Sequence, residues 1–143
     1  MKKESLYNIS MFFAIVGFLI GAYLTYTHYA QLSSFCLPGQ EASCDIVLKG
    51  PYATLFFGIP NALIGAIGFA FMFFAARAGK KGNKKADKIL LALSTISILF
   101  VLFLAYLIYF VIEAFCAWCF AAWICVLIIF LSAIAINRSK KKR

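Results

Sequence analysis

ILLALSTISILFVLFLAYLIYFVI, residues Ile89 to Ile112, runs for 24 positions without a formal charge. At a rise of 1.5 Å per residue such a helix crosses a hydrocarbon core of about 30 Å. Lipid offers the backbone no water to bond with, and a helix lets a single segment satisfy its own N–H and C=O groups. Three more stretches of similar length lack Asp, Glu, Lys and Arg: Ser5 to Ala30, Pro51 to Ala76 and Ala114 to Asn137. Allowing for interfacial ends, these predict helices near 7–28, 59–77, 89–111 and 117–137, with a long loop near 29–58. The expected fold is an all-α membrane protein, a single four-transmembrane-helix bundle over residues 1–143.

Composition agrees. A chain of 143 residues that is 64% hydrophobic and 13% charged cannot hide its apolar surface in one small soluble core. Lys plus Arg outnumber Asp plus Glu by 14 to 5, a balance that by itself fits nucleic acid or anionic lipid. Position separates the two. Lys2, Lys3, Arg77, Lys80, Lys81, Lys84, Lys85, Lys88, Arg138, Lys140, Lys141, Lys142 and Arg143 all fall at one end of the expected helices, and Lys49 alone falls at the other. Short cytoplasmic loops retain positive charge, so both termini are expected in the cytoplasm, with segments 29–58 and 112–116 outside. The basic runs read as partners of membrane lipid headgroups, not of nucleic acid. Met1-Lys2-Lys3 resembles a signal-peptide start, but the apolar stretch after it is longer than such peptides carry, and it reads as an uncleaved first span. A prokaryotic cytoplasmic membrane is the expected location. The basic ending Lys140-Lys141-Lys142-Arg143 leaves the endoplasmic reticulum membrane as the alternative.

Of five cysteines, this topology puts four at the outer face. Cys36 and Cys44 lie in the long loop, with Pro38-Gly39 between them to turn the chain. Cys116-Ala117-Trp118-Cys119 stands at the start of the fourth helix, where unpaired backbone N–H groups and the helix dipole stabilise a thiolate. Disulfides form and persist on the oxidising side of a membrane, so the pattern points to thiol–disulfide chemistry. Two structural staples in a non-enzymatic membrane protein, or a four-cysteine zinc site, are the alternatives; the compartment disfavours the second, and no metal is expected. Cys125, roughly 9 Å deeper along the helix, reads as an inert core thiol.

A dithiol relay must end in a two-electron acceptor. With neither a haem, a flavin nor a metal signature in the chain, a membrane quinone is the expected one, bound in an apolar pocket with a few polar groups. Asn61, polar at membrane level, and Trp123, one turn below Cys119, are the candidate pocket residues. Asn61, Gly65 and Gly68 share a helical face, and helix packing is the ordinary reason for such small residues. His28 stands among Tyr23, Tyr26 and Tyr29; it suits either a base or, more commonly, an interfacial aromatic belt. Glu113, close before Cys116, suits a proton acceptor or, more commonly, a solvated turn residue.

Taken together, Cys36-x7-Cys44, then Pro51-Tyr52-Ala53 leading to Gly58-Ile59-Pro60-Asn61, then Cys116-x-x-Cys119 opening the last helix resemble the vitamin K epoxide reductase family, in its bacterial and archaeal branch. The resemblance covers nearly the whole chain. In the DsbB family, which does similar chemistry on four helices, the Cys-x-x-Cys comes in the first outer loop instead. The resemblance implies that Cys116 and Cys119 are the active-site pair, with Cys119 contacting the quinone. It implies that Cys36 and Cys44 shuttle electrons from a thioredoxin-like (DsbA-like) protein, expected as a separate chain. The quinone would be a menaquinone, a ubiquinone or a vitamin K-type molecule, and the product disulfides in exported proteins; reduction of a quinone epoxide is the alternative. Two departures stand out. Gly50 occupies a place where the family usually has Ser or Thr, and Phe56-Phe57 carries one extra residue before Gly58.

Overall fold

The structure is a computed structural model and describes residues 3–30, 54, 58–113 and 116–141. Within them the chain forms helices α1 (Lys3–Ala30), α2 (Asn61–Lys80), α3 (Lys84–Tyr106, continued by a π-helical segment Leu107–Ile112) and α4 (Ala117–Lys141). All four are long and apolar enough to cross a membrane, and the protein is an integral membrane helical bundle.

All four helices run past the ends expected from the absence of charge, α2 as far as Lys80. α1 begins at Lys3, α3 at Lys84, and α4 continues to Lys141. Lysine stems can lie along apolar surface while their ammonium groups reach water, so charge ends the buried span without ending the helix. The Lys-rich connector shrinks to Lys81–Asn83, where Gly82 takes the left-handed conformation at φ 101°. The Asn83 side chain then caps α3, accepting the Lys85 N–H at 3.0 Å. At the start of α2, Pro60 sits just outside the helix in an extended conformation, and its carbonyl accepts the Leu63 N–H at 3.0 Å.

Small residues bring α1 against α2. A Cβ added at Gly21 would lie 2.9 Å from Ala66 Cβ and 3.0 Å from the Ala62 carbonyl oxygen, and one at Gly17 would run into the Phe69 ring. In lipid, where apolar burial gives helices little reason to associate, this close approach is how van der Waals contact holds them. Outward, Phe12, Leu19, Phe74, Leu99 and Leu102 are exposed, as lipid-facing residues should be. Met72, Leu90, Ile129 and Ile136 are fully buried in the half of the bundle nearer the basic residues.

That half closes on a polar cluster the sequence did not announce. The Tyr7 hydroxyl donates to Asp87 Oδ1 at 2.5 Å, and Asp87 is 1% exposed. Asn137 Nδ2 donates to the Asp87 carbonyl at 3.3 Å, and Lys80 Nζ donates to Asn8 Oδ1 at 2.8 Å. Gly79 leaves room for both Tyr7 and Asp87. These bonds gather the start of α1, the end of α2, the start of α3 and the end of α4, so the bundle runs up-down-up-down. The opposite end therefore collects the end of α1, the starts of α2 and α4, and the π segment.

Candidate functional site

At that opposite end Cys116 and Cys119 are joined by a disulfide, with Cα atoms 5.3 Å apart, inside the usual 4.4–6.8 Å range. Cys116 is also the N-cap of α4. Its carbonyl accepts the Phe120 N–H at 3.1 Å, and its Sγ accepts the Cys119 N–H at 3.2 Å, the place a Ser or Asp oxygen normally takes. A first-turn N–H and the helix dipole thus point at the Cys116 sulfur, an arrangement that stabilises negative charge there once the disulfide opens. Cys116 is 3% exposed and packs with Leu24 and Ile108, while the Tyr23 and Trp118 rings meet at a tilt of 51° with centroids 5.3 Å apart.

The π segment shapes this end. Its wider turn carries Leu107 and Ile108 into the core and leaves Tyr109 and Phe110 exposed. It ends at Glu113, a non-glycine residue at φ 53° whose N–H bonds to the Ile108 carbonyl. π bulges concentrate at functional sites, and a left-handed non-glycine residue is kept only where its surroundings hold it. Leu-Ile-Tyr-Phe-Val-Ile carries no sequence signal for either feature; it reads as plain apolar helix.

Inside the bundle, below the disulfide, lies a cavity of about 340 Å³, within the range of small-molecule sites. Every helix contributes to its wall. His28 of α1, Asn61 of α2, Leu107 and Ile108 of the π segment, and Cys119 and Trp123 of α4 line the end near the disulfide, and Met72, Leu93 and Ile96 line the far end. From Asn61 to Met72 is roughly 16 Å at the helical rise. The wall is overwhelmingly apolar, and among the described residues that line it His28, Asn61, Ser97, Cys119 and Trp123 are the ones with polar side-chain atoms. The Trp123 ring meets Tyr109 and Phe120 edge-on, each at 6.5 Å.

Two expectations change here. Gly65 and Gly68 do not serve helix packing: a Cβ on either would meet nothing within 4 Å, so both face open cavity, and the packing role belongs to Gly17 and Gly21. His28 is a wall residue of the cavity and not merely part of an interfacial belt. The sequence reading also missed α1 as a wall, although Gly17, Gly21, Leu24 and His28 recur at helical spacing. Asn61, Trp123 and Cys119 come together on the cavity, with Cys116 bonded behind Cys119. Cys36, Cys44, Gly50 and the Phe56-Phe57 step lie outside the described residues. Glu113 is exposed and Cys125 is a buried free thiol, as the sequence led one to expect.

A flat, apolar two-electron carrier fits this wall, since the bare Cα atoms of Gly65 and Gly68 leave space that a side chain would fill. The model of the Vitamin K epoxide reductase family matches residues 8–134, which takes in most of the bundle. With its Cys116–Cys119 pair beside an apolar cavity, the chain is a membrane oxidoreductase of the thiol and quinone kind, and it belongs to the vitamin K epoxide reductase family.

Proposed function

We propose that this protein oxidises the thiols of a thioredoxin-like partner and passes the electrons to a membrane quinone, so that exported proteins receive disulfides. The observation that carries the reading is Cys119, a member of the disulfide that is also part of the cavity wall. In this scheme a reduced partner exchanges first with Cys36 and Cys44, and that pair reduces Cys116–Cys119 through a mixed disulfide at Cys116. Attack at Cys116 releases Cys119 as the thiolate, and when the second loop cysteine resolves the mixed disulfide, the N–H that Cys116 Sγ accepts stabilises Cys116 as it leaves in turn. Cys119 then faces the quinone. As the Cys116–Cys119 bond re-forms, two electrons and the two thiol protons pass to the quinone, giving quinol and restoring the disulfide. Asn61, at the start of α2, orients a quinone oxygen with its amide, and Trp123 forms the side of the slot.

The cysteine end of the bundle is placed on the outer face of a prokaryotic cytoplasmic membrane, in the family's bacterial and archaeal branch. The clustering of Lys and Arg at the other end supports that orientation. A direct test mixes purified protein with a reduced thioredoxin-like protein and a quinone and follows quinone absorbance. Loss of turnover in Cys119→Ala is expected. An unchanged rate in that variant would remove the basis of the mechanism.

A further inference from the structure

Proton handling is the part of this chemistry that the cysteines do not provide for. Resting on the quinone-dependent reading above, the sum is dithiol plus quinone giving disulfide plus quinol. One S–S bond forms, two electrons move to the quinone, and two protons leave sulfur and end on its two oxygens. The Cys119 thiol must lose its proton before its sulfur can act, and a proton must be at hand for the quinone oxygen. Both events take place in an apolar cavity, where charge separation is costly.

Among the described residues the polar side chains on the cavity wall are those of His28, Asn61, Ser97, Cys119 and Trp123. An amide or an indole N–H gives a hydrogen bond but keeps its proton, and a serine hydroxyl does not titrate near neutrality. An imidazole both accepts and releases a proton there. His28 is also in the right place. On α1 the wall residues Gly17, Gly21, Leu24 and His28 climb one face at intervals of three or four, and His28 is the last of them, one helical turn beyond Leu24. Leu24 packs in one cluster with Cys116, Ile108, Cys119 and Trp123. His28 thus borders the cavity at the end that holds Cys119 and Asn61.

We propose that His28 is a catalytic residue: its imidazole takes the proton from the Cys119 thiol and hands it to a quinone oxygen. Among the described residues the cavity wall presents few titratable side chains besides His28. Cys119 faces the cavity from α4, and the Tyr29 ring on α1 meets the imidazole edge-on at 5.6 Å. α2 and the π segment present Asn61, Leu107 and Ile108, none of which titrates.

The test uses the full chain in detergent, dithiothreitol as reductant, and a short-tailed ubiquinone and a short-tailed menaquinone as probes. General acid–base catalysis contributes about 10² to 10⁴-fold, so His28→Gln should lower kcat for quinone reduction by about that factor. KM should change less than about threefold, and dithiothreitol should still reduce Cys116–Cys119 at the wild-type rate. The variant should also lose one limb of the wild-type kcat–pH profile. Added imidazole should restore part of the activity of His28→Ala, a response that a purely structural role would not give. A His28→Gln enzyme within threefold of wild type, or one with an unchanged pH profile, overturns the assignment. A wild-type chain that reduces neither quinone fails at the functional reading beneath it, and that result is distinct from an active wild type beside an equally active variant.

Discussion

Gly21 and Gly65 give a matched pair of perturbations. Both lie in helix interiors, so replacing either with Ala changes local helix propensity by a similar amount, and the difference between the variants isolates packing. At Gly21 the new methyl would stand 2.9 Å from Ala66 Cβ and 3.0 Å from the Ala62 carbonyl oxygen, and these neighbours are backbone and first-carbon atoms that cannot swing aside. At Gly65 it would meet nothing within 4 Å. Overpacking a tight contact costs about 1–3 kcal/mol. At 1.4 kcal/mol per factor of ten, that separates the two folding equilibria by roughly 5- to 150-fold. Reversible unfolding in mixed micelles, followed by the fluorescence of Trp118 and Trp123, reads the difference. Gly21→Ala should be the less stable by that margin, while Gly65→Ala matches or exceeds wild type. Equal stabilities, or the reverse order, would refute the division of the glycines into packing and cavity-facing sets.

Filling the cavity should act on substrate and not on the fold: Gly65→Phe is expected to raise the quinone KM at least tenfold with little loss of thermal stability, measured on the same preparation. At the far end, Tyr7→Phe removes the donor to a buried carboxylate and should cost about 1.5–3 kcal/mol in the unfolding assay while leaving kcat within twofold. A double cycle with Asp87→Asn would assign that cost to the pair. In the relay itself, replacing Cys119 with Ala should trap a mixed disulfide between Cys116 and a loop cysteine, detectable by peptide mapping after thiol blocking; two permanent staples would yield no such species.

Much of this architecture was legible because lipid leaves so few choices. Absence of charge over a span such as Ile89–Ile112 decides a helix, and Cys116, three residues after the left-handed Glu113, still reads as a helix start. Trp123 was reached from its spacing to Cys119, since residues one turn apart share a face, and Asn61 from its polarity at membrane level. What spacing could not supply was the identity of the neighbour. Gly65 looks the same in sequence whether another helix or empty space lies opposite, and only the packing of α1 through Gly17 and Gly21 decides between them. The π turn at Leu107–Ile112 is likewise a product of tertiary packing, invisible in a run of apolar residues. Nothing in the sequence singles out Asp87; its burial follows from Tyr7, eighty residues away, and from the space beside Gly79.

The measurement closest to the central claim is a single turnover. Protein in which Cys36 and Cys44 are replaced by Ser is reduced, freed of reductant without air, and mixed with excess quinone. The account predicts that each chain converts one equivalent of quinone to quinol as the Cys116–Cys119 disulfide re-forms, the two events sharing one rate, with neither seen in Cys119→Ser. Re-formation of the disulfide without quinol, or quinol formation undiminished in Cys119→Ser, would contradict it.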